Sequence, residues 1–425
     1  MEKHLHYIWQ FRLFEKQKLE TTNGKRVKVI DVGLSNSDAG PDFFNAKIEI
    51  DGTLWAGDVE IHQKASDWKR HNHSIDKAYD SVILHVVAES DCETISTKGE
   101  TIPQLIIPHS EVINQRMDYF LNKNILFPCL DRIEDINAIH WVSLKSRLLI
   151  ERLEQKSENV ARLLELNKGN WEEVFYVLLL RSLGMGINGD AFERLGRSLP
   201  LTILLKHADS LFQTEALLIG QAGLLNRENP ENVYEEALRK EFLFLKRKFD
   251  LIPMEPTLWK MLRLRPSNFP HLRMAQAASL FHREQSLFSK IKEITDEEKI
   301  YRLFSKNLSE YWRTHYCFNN ETTSHSGKMG KQTINVILIN AVVPTLFAYG
   351  RQIGDELLCE KAYSWLEKIT AEDNKYTRIW KNHGVEIENA FDSQALIQLS
   401  KEYCRTKKCL FCPIGHKLLS NTKQM

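Results

Sequence analysis

The chain has 425 residues, with 57 Lys and Arg against 56 Asp and Glu, so its formal net charge is only +1. Hydrophobic residues make up 43% and charged residues 27%, with 19 Gly and 12 Pro. This composition excludes disordered, collagen-like and low-complexity proteins. The balanced charge argues against a protein whose whole surface binds nucleic acid or membrane, and the length favours two domains.

Targeting and redox features favour a cytoplasmic protein. The first residues, MEKHLHYIWQFRLFEK, contain no uninterrupted apolar run, so we expect no secretory signal. The seven Cys are too few for a disulfide framework in a chain of this length, which points to a reducing compartment. The most apolar stretch, Ile334 to Gly350, includes two Asn and one Pro and is shorter than the roughly 20 residues that span a bilayer. It predicts a buried core helix and no membrane association.

The first part of the chain, residues 1–111, predicts an α/β domain. Short β-branched or alternating runs predict four strands. These are Lys25–Ser35, Phe44–Gly52, Leu54–Gln63 and Asp80–Ser90. The Asp51-Gly52-Thr53 sequence predicts a hairpin between the second and third strands. With a helix expected at His6–Leu19 and a short one at Asp76–Ser81, the predicted order is αβββαβ.

The remainder predicts a large α-helical domain at residues 112–395 and a Cys-rich segment at 396–425. Apolar residues recur there at spacings of three and four, and strand patterns nearly vanish. The predicted helices are Val142–Leu166, Trp171–Met185, Asp190–Leu199, Phe212–Leu225, Val233–Phe249, Arg273–Ile294, Asp296–Arg313, Asn335–Phe347, Ile353–Ile369 and Ser393–Tyr403. The predicted fold class is therefore α+β.

Polar residues concentrate where the second and third strands begin and end. Asp42 precedes the second strand, and Glu60 and His62, two residues apart, face the same side of the third. Two carboxylates can share a hard divalent cation such as Mg²⁺, and a bound water can then attack a phosphodiester. The alternative is a capped turn at Asp42 and a solvated strand edge at Glu60.

About the first 90 residues resemble the PD-(D/E)XK nuclease superfamily, whose core has the same αβββαβ order. The resemblance implies that Asp42 and Glu60 bind Mg²⁺ or Mn²⁺, and that His62 occupies the position of the catalytic lysine. Histidine cannot supply the fixed charge of lysine, so Lys64, two residues on, is a candidate for that role. Gln63 and Tyr79 fall where some members carry accessory residues, and His73 is a further accessory candidate.

A second resemblance covers most of the chain. The stretches GPDFFNAKIEI, GDVEIHQKASDWKRHNHSIDKAYDSVILHVV, RLRPSNFPHLRMAQAASLF and CLFCPIGH resemble an uncharacterised bacterial family, a domain of unknown function. This family implies no mechanism.

The histidines that follow the third strand offer another interpretation. His71 and His73, with Asp76 and His85 nearby, can supply zinc ligands for a metallo-hydrolase. Alternatively, they pack or form hydrogen bonds around Glu60, and His85 is a satisfied core residue or supports the ligands.

The C-terminal segment contains Cys404, Cys409, Cys412 and His416. At this spacing the four side chains can bind Zn²⁺. Alternatively, the three cysteines can bind an iron–sulfur cluster together with a fourth Cys. Some nucleases of the resembled superfamily carry such a cluster. Candidates for the fourth cysteine are Cys129, Cys317 and Cys359. The alternative is a set of reduced, buried thiols.

The basic residues suggest contact with DNA or RNA. Between Arg239 and Arg273 there are nine Lys and Arg against three Asp and Glu, interleaved with aromatic residues. The tail from Lys401 to Met425 adds six Lys and Arg against one Glu. The leading hypothesis is a metal-dependent nuclease. The alternative is a catalytically inactive nuclease-like scaffold that binds nucleic acid or protein.

Overall fold

The computed structural model describes residues 2–14, 19–36, 39–107, 127–226, 230, 232–319 and 321–420, together with Gln115, Asp118 and Phe120. The chain divides into two compact units. One comprises residues 1–141 and 399–425, and the other comprises residues 142–398. The Cys-rich C-terminal segment, predicted as a separate region, thus belongs largely to the same unit as the N-terminal sheet. The chain is mixed α+β, as predicted.

The N-terminal unit is built on a mixed sheet. Its strands are β1 (Leu19–Glu20), β2 (Arg26–Asp31), β3 (Leu34–Ser35), β4 (Phe43–Ile50), β5 (Thr53–Lys64), β6 (Val82–Glu89) and β9 (Gln104–Ile106). They lie in the order β1-β2-β4-β5-β6-β9, with β3 paired to β4, and β7 (Thr94–Ile95) and β8 (Thr101–Ile102) form a separate hairpin. β2, β4 and β5 are antiparallel, whereas β5, β6 and β9 are parallel. All four predicted strands are present.

The expected hairpin joins β4 to β5. Asp51 and Gly52 both adopt positive φ angles, 48° and 80°, which is the conformation that a two-residue turn of this type needs. The connection from β5 to the parallel β6 contains helix α2 (Asp67–Arg70) and two 3₁₀ turns, His73–Ile75 and Lys77–Tyr79. The short helix expected at Asp76–Ser81 is therefore a 3₁₀ turn, and the helical turn lies earlier. With α1 (Glu2–Gln10), and with the two-residue strands β1 and β3 left aside, the elements follow the order αβββαβ.

The first helix begins and ends earlier than predicted. The helix expected at His6–Leu19 is wrong in its bounds, because α1 covers Glu2–Gln10. Arg12 adopts a left-handed conformation with φ of 50°, which stops the helix, and its guanidinium donates to the carbonyl of Ile30 at 2.6 Å. Residues 15–18 of the predicted helix lie outside the described residues.

Helices dominate the rest of the chain. They are α3 (Ala138–Leu166), α4 (Trp171–Leu183), α5 (Gly189–Ser198), α6 (Leu201–Leu205), α7 (Leu211–Gln221), α8 (Val233–Phe249), α9 (Pro270–Arg283), α10 (Leu287–Glu293), α11 (Glu297–Phe304), α12 (Lys331–Ile337), α13 (Val343–Ile353), α14 (Glu356–Lys368), α15 (Lys375–Asn382), α16 (Ala390–Gln398) and α17 (Pro413–Ser420). π-helical segments at Leu338–Val342 and Leu399–Cys404 extend α12 into α13 and lengthen α16. The 3₁₀ turns here are Leu130–Asp135, Pro256–Leu258, Pro266–Asn268, Tyr311–Arg313 and Cys409–Phe411.

Two predicted helices are broken in the structure. The helix expected at Arg273–Ile294 divides into α9 and α10, because Glu284 is extended and ends α9. The helix expected at Asp296–Arg313 ends at Phe304. Periodicity continues across both breaks in the sequence, so the apolar spacing alone did not reveal them.

The apolar stretch from Ile334 to Gly350 lies in a helix, as expected. Among the described residues, this one helix, Lys331–Ile353, is long and apolar enough to cross a bilayer. However, 72% of its apolar window is buried inside the protein. Such burial is what a core helix requires.

Candidate metal centre

The carboxylates of Asp42, just before β4, and Glu60, in the middle of β5, join the two strands through hydrogen bonds. The backbone N–H of Asp42 donates to Oε2 of Glu60 at 3.1 Å, and the N–H of Ile61 donates to Oδ2 of Asp42 at 2.9 Å. Glu60 is only 4% exposed. The carboxylate is therefore not on a solvated strand edge, and the two acidic residues predicted to act together are neighbours.

An irregularity in β4 accompanies these hydrogen bonds. The β4–β5 register shifts between Phe43 and Ala46, and Asn45 adopts a φ of 57°. Asp58 fixes the irregular strand by accepting from the N–H of Asn45 at 3.0 Å and from the hydroxyl of Ser81 at 2.6 Å. Asp58 is thus a structural carboxylate that the sequence pattern did not reveal.

Two histidines contact Glu60, and a third, His71, lies beside them with Nδ1 3.1 Å from Nε2 of His62. Nε2 of His62 and Nε2 of His73 lie 3.4 and 3.3 Å from Oε1 of Glu60. One ligand nitrogen each from His62, His71 and His73 lies within 4.8 Å of the others, a spacing at which they can hold a metal ion. Asn72, in a left-handed conformation with φ of 65°, separates the last two histidines. The carboxylate site and the histidine site, predicted as alternatives, form one cluster.

A hydrogen-bonded chain leads from His62 into the core. Nδ1 of His62 lies 2.9 Å from Nε2 of His85, and Nδ1 of His85 lies 2.6 Å from the hydroxyl of Thr94. The amide of Gln104 also donates to this hydroxyl, at 2.7 Å. If each imidazole donates from Nδ1, Nε2 of His62 faces the cluster without a proton, as a metal ligand must. His85 therefore supports the cluster from the core, one of its expected roles.

Burial controls the protonation of the cluster. Burial, reinforced by the charge of Asp42, raises the pKa of Glu60 to about 9. Burial and the neighbouring histidines, first His85, lower the pKa of His62 to about 3, and burial also lowers the pKa of His73. At neutral pH the uncomplexed cluster thus contains a protonated Glu60 together with neutral His62 and His73, and a bound cation would displace the proton from Glu60.

The other predicted site residues divide into two groups. The ring of Tyr79 stacks on His73 with centroids 3.7 Å apart, so this residue belongs to the cluster. Nζ of Lys64 instead pairs with Glu89 at 3.1 Å, and Gln63 is exposed. A residue that the sequence did not indicate, His6 of α1, places Nε2 at 3.3 Å from Oδ2 of Asp42.

A second candidate metal site lies in the same unit. Cys404, Cys409 and Cys412 line one small cavity together with Cys129, one of the three candidates for a fourth cysteine. Burial, reinforced by Cys412 and Cys409, raises the pKa of Cys129 to about 12. His416 lines no part of this cavity, and its Nδ1 lies 3.0 Å from the hydroxyl of Tyr7. Cysteines 317 and 359 belong to the helical unit.

The basic stretch between Arg239 and Arg273 is only partly a surface. Phe242 and Trp259 are buried in the helical unit, whereas Phe244 is 61% exposed. Two of the five aromatic residues there thus belong to the core, and the exposed positions include apolar and acidic residues, such as Leu262 and Asp250, beside the cationic ones.

A family model described as protein of unknown function (DUF2851) matches residues 2–375. The chain belongs to this family. The predicted resemblance to an uncharacterised family is confirmed, and the resemblance of the N-terminal domain to nucleases stays a prediction. No curated protein and no solved structure matches the chain. The histidine cluster lies inside the matched range, whereas Cys404, Cys409 and Cys412 lie beyond it.

Proposed function

We propose that the N-terminal unit binds a divalent cation at Glu60, His62, His71 and His73 and hydrolyses phosphodiester bonds in nucleic acid. The observation that carries this proposal is the contact of one carboxylate oxygen of Glu60 with Nε2 of both His62 and His73. The αβββαβ order around the site, with Asp42 beside Glu60, supports it further.

The donor set favours one class of metal. Three imidazoles and a carboxylate suit Mn²⁺, Zn²⁺ or a related transition ion better than Mg²⁺, which prefers oxygen ligands. A bound cation of this class would polarise the phosphodiester and lower the pKa of a water molecule. We therefore favour Mn²⁺ or Zn²⁺ over the Mg²⁺ that two carboxylates alone would suggest.

The chain's own residues supply the remaining chemistry. His71 is exposed, and the side chains of His6 and Asp42 are 29% and 23% exposed, so these groups form the open edge of an otherwise buried cluster. His6 and Asp42 lie close enough to exchange a proton after a small movement. The hydrogen-bonded chain behind His62 fixes the orientation of that ring.

A second candidate function is a non-catalytic scaffold that binds nucleic acid or protein. Lys64 is engaged with Glu89, and burial lowers the pKa of His62 to about 3. The cluster therefore has no fixed positive charge where the resembled nucleases carry lysine. In this case the fold would be retained for binding and the histidine cluster would serve stability.

The four cysteines add a structural role for metal. We propose that Cys129, Cys404, Cys409 and Cys412 bind zinc or an iron–sulfur cluster and fasten the C-terminal segment within this unit. Because Cys129 is distant in sequence from the other three, the bound metal would cross-link segments that the chain itself does not connect closely.

Cleavage of labelled single- and double-stranded DNA and RNA, with Mg²⁺, Mn²⁺ or Zn²⁺, tests the proposed activity. Glu60→Gln mimics the protonated carboxyl and should fold normally, yet it should lose cation binding and orders of magnitude of cleavage. Glu100→Gln, at an exposed carboxylate of the same unit, is the matched control. Activity shared by Glu60→Gln, or no cleavage by the wild type, would favour the scaffold instead.

A further inference from the structure

The helical unit contains a strongly basic cavity that the proposed activity does not use. It has a volume of about 750 Å³ and is lined by the loop before α9, by α9 itself, and by the chain leading into α12. Five of its lining residues are permanently cationic: Arg263, Arg265, Arg273, Lys328 and Lys331. Among the described residues that line it, none is acidic. The cavity therefore presents positive charge that its own walls do not neutralise.

Arg273 is the decisive residue, because it is buried without a counter-ion. It is only 3% exposed, and its guanidinium donates to three neutral oxygens: Oε1 of Gln276 at 2.9 Å, Oδ1 of Asn268 at 2.7 Å and Oγ1 of Thr333 at 3.0 Å. No described carboxylate pairs with it, and its Nε has no hydrogen-bond partner. Although burial lowers the pKa of Arg273 to about 10, the group is still charged at neutral pH.

A buried, uncompensated guanidinium is costly to a fold. Neutral hydrogen-bond acceptors hold Arg273 in place, but they cannot cancel its charge. An anion entering the cavity would cancel the charge. The arrangement is thus typical of a binding site more than of a structural ion pair.

Two further features of the lining residues favour an anion in the same cavity. Nε2 of the lining residue His325 is a second buried nitrogen without a hydrogen-bond partner, and its ring stacks on Tyr316 with centroids 4.2 Å apart. The helix that runs from Lys331 to Ile353 begins at the cavity, and its N-cap, Gly330, provides no side-chain cap. The amides at the start of a helix favour phosphate oxygens.

We propose that this cavity binds the phosphate group of a phosphomonoester, with Arg273 as its central ligand. The guanidinium of Arg273 supplies a fixed positive charge for a phosphate, and the exposed Lys328 and Lys331 add charge at the rim. The volume lies within the roughly 300–1,000 Å³ of small-ligand pockets and leaves room for an attached nucleoside. The same phosphate can come from a free nucleotide or from the phosphorylated end of a nucleic-acid strand.

Calorimetric titration of the full chain tests the proposal. The probes are inorganic phosphate, pyrophosphate, adenosine monophosphate, and one oligonucleotide with either a phosphate or a hydroxyl end. Wild type should bind inorganic phosphate, pyrophosphate and adenosine monophosphate saturably. Tighter binding of the phosphate-ended oligonucleotide than of its hydroxyl-ended form would assign a strand end, whereas preference for the mononucleotide would assign a free nucleotide.

The variants separate recognition from folding. Arg273→Gln should weaken phosphate binding at least about tenfold, and Arg273→Lys, which keeps a positive charge but loses the guanidinium that Gln276, Asn268 and Thr333 hold in place, should bind with an affinity between those of wild type and Arg273→Gln. Arg283→Gln, at the exposed end of the same helix, is the control and should bind as wild type. Phosphate should raise the melting temperature of wild type but not that of Arg273→Gln.

If Arg273→Gln fails to fold, the Lys328→Gln and Lys331→Gln double variant replaces it, because both side chains are exposed. It too should bind phosphate more weakly. Unchanged affinity in the variant that folds, or no saturable binding of any phosphate probe by wild type, would overturn the proposal. Adding Glu60→Gln to the series keeps this test separate from the nuclease proposal, since that variant should bind phosphate normally.

Discussion

At the scale of single residues, the hydroxyl of Thr94 supports the histidine cluster through His85, without contacting the cluster itself. It is 1% exposed and contacts Nδ1 of His85, whose other nitrogen contacts His62. We expect Thr94→Val, nearly isosteric, to leave the ligands in place but to remove the partner that fixes the imidazole tautomers. Metal affinity should fall by roughly 10–100-fold in competition titrations with a chelator.

Thr101→Val provides the matched control, because Thr101 is exposed on the neighbouring strand β8. It should bind metal as wild type does. Equal affinities for the two variants would mean that the chain from His62 to Thr94 does not influence the cluster.

Glu215 gives a pH-dependent prediction in the helical unit. It is fully buried and accepts from the hydroxyls of Tyr234 and Ser309 and from Nε1 of Trp312, yet burial raises its pKa to about 6. Because the pKa in the folded state exceeds the ordinary value of 4.5, the folded state binds the proton more tightly. The free energy of unfolding should therefore fall as pH rises from about 4.5 to about 6.

The size of this effect follows from the shift. A change of about 1.5 pKa units corresponds to about 2 kcal/mol, lost as the carboxyl ionises. Denaturant unfolding of wild type and Glu215→Gln should show a stability difference that changes by this amount between acidic and neutral pH. A difference that is constant with pH would show that Glu215 does not titrate in this range.

At the scale of elements, the sequence predicted the sheet better than the helix ends. β4 and β5 alternate around a turn whose Asp51 and Gly52 accept positive φ, so local chemistry determines them. The end of α1 depends on Arg12 reaching the backbone of Ile30, a tertiary contact that no local pattern shows. The short strand β9 was missed because only three residues pair with β6.

The candidate sites show the same difference between local patterns, which the sequence predicts, and contacts between distant residues, which it does not. Glu60 and His62 were found because two-residue spacing on a strand places them on one face. His6 was not predicted, and Cys129 was only one of three candidates for a fourth cysteine, because the neighbours of these residues in space are distant in sequence: Asp42 for the first and Cys412 for the second. His416 was predicted as a metal ligand from its spacing to the cysteines alone. Spacing cannot show that its ring contacts Tyr7.

The cysteine site tests whether the ligands are those predicted from sequence spacing or those that line the cavity in the structure. Cys129→Ser should lose bound zinc or iron in elemental analysis, because Cys129 lines the cavity with the three C-terminal cysteines. His416→Gln should keep the metal. Cys317→Ser, in the helical unit, is the control for thiol loss, and visible absorption distinguishes an iron–sulfur cluster from zinc. Metal lost from His416→Gln but kept by Cys129→Ser would restore the ligand set predicted from spacing.

At the scale of the whole molecule, the two units carry different chemistry. The histidine cluster lies in the unit of residues 1–141 and 399–425, and the basic cavity lies in the unit of residues 142–398. Each site is formed by residues of one unit, and a net charge of +1 conceals the basic lining of the second. Composition could not reveal this separation, because opposite charges elsewhere cancel in the sum.

This separation predicts independent effects of substitutions in the two sites. Because changes that share no partner usually add, Arg273→Gln should leave metal content unchanged, and Glu60→Gln should leave phosphate affinity unchanged. If both sites act on one nucleic-acid substrate, Arg273→Gln should raise KM for a phosphate-ended strand with little change in kcat, whereas Glu60→Gln should lower kcat. Steady-state cleavage by wild type, both single variants and the double variant measures these effects. Loss of metal from Arg273→Gln would show that the sites are coupled, since a group that only binds substrate cannot empty a metal site in the other unit.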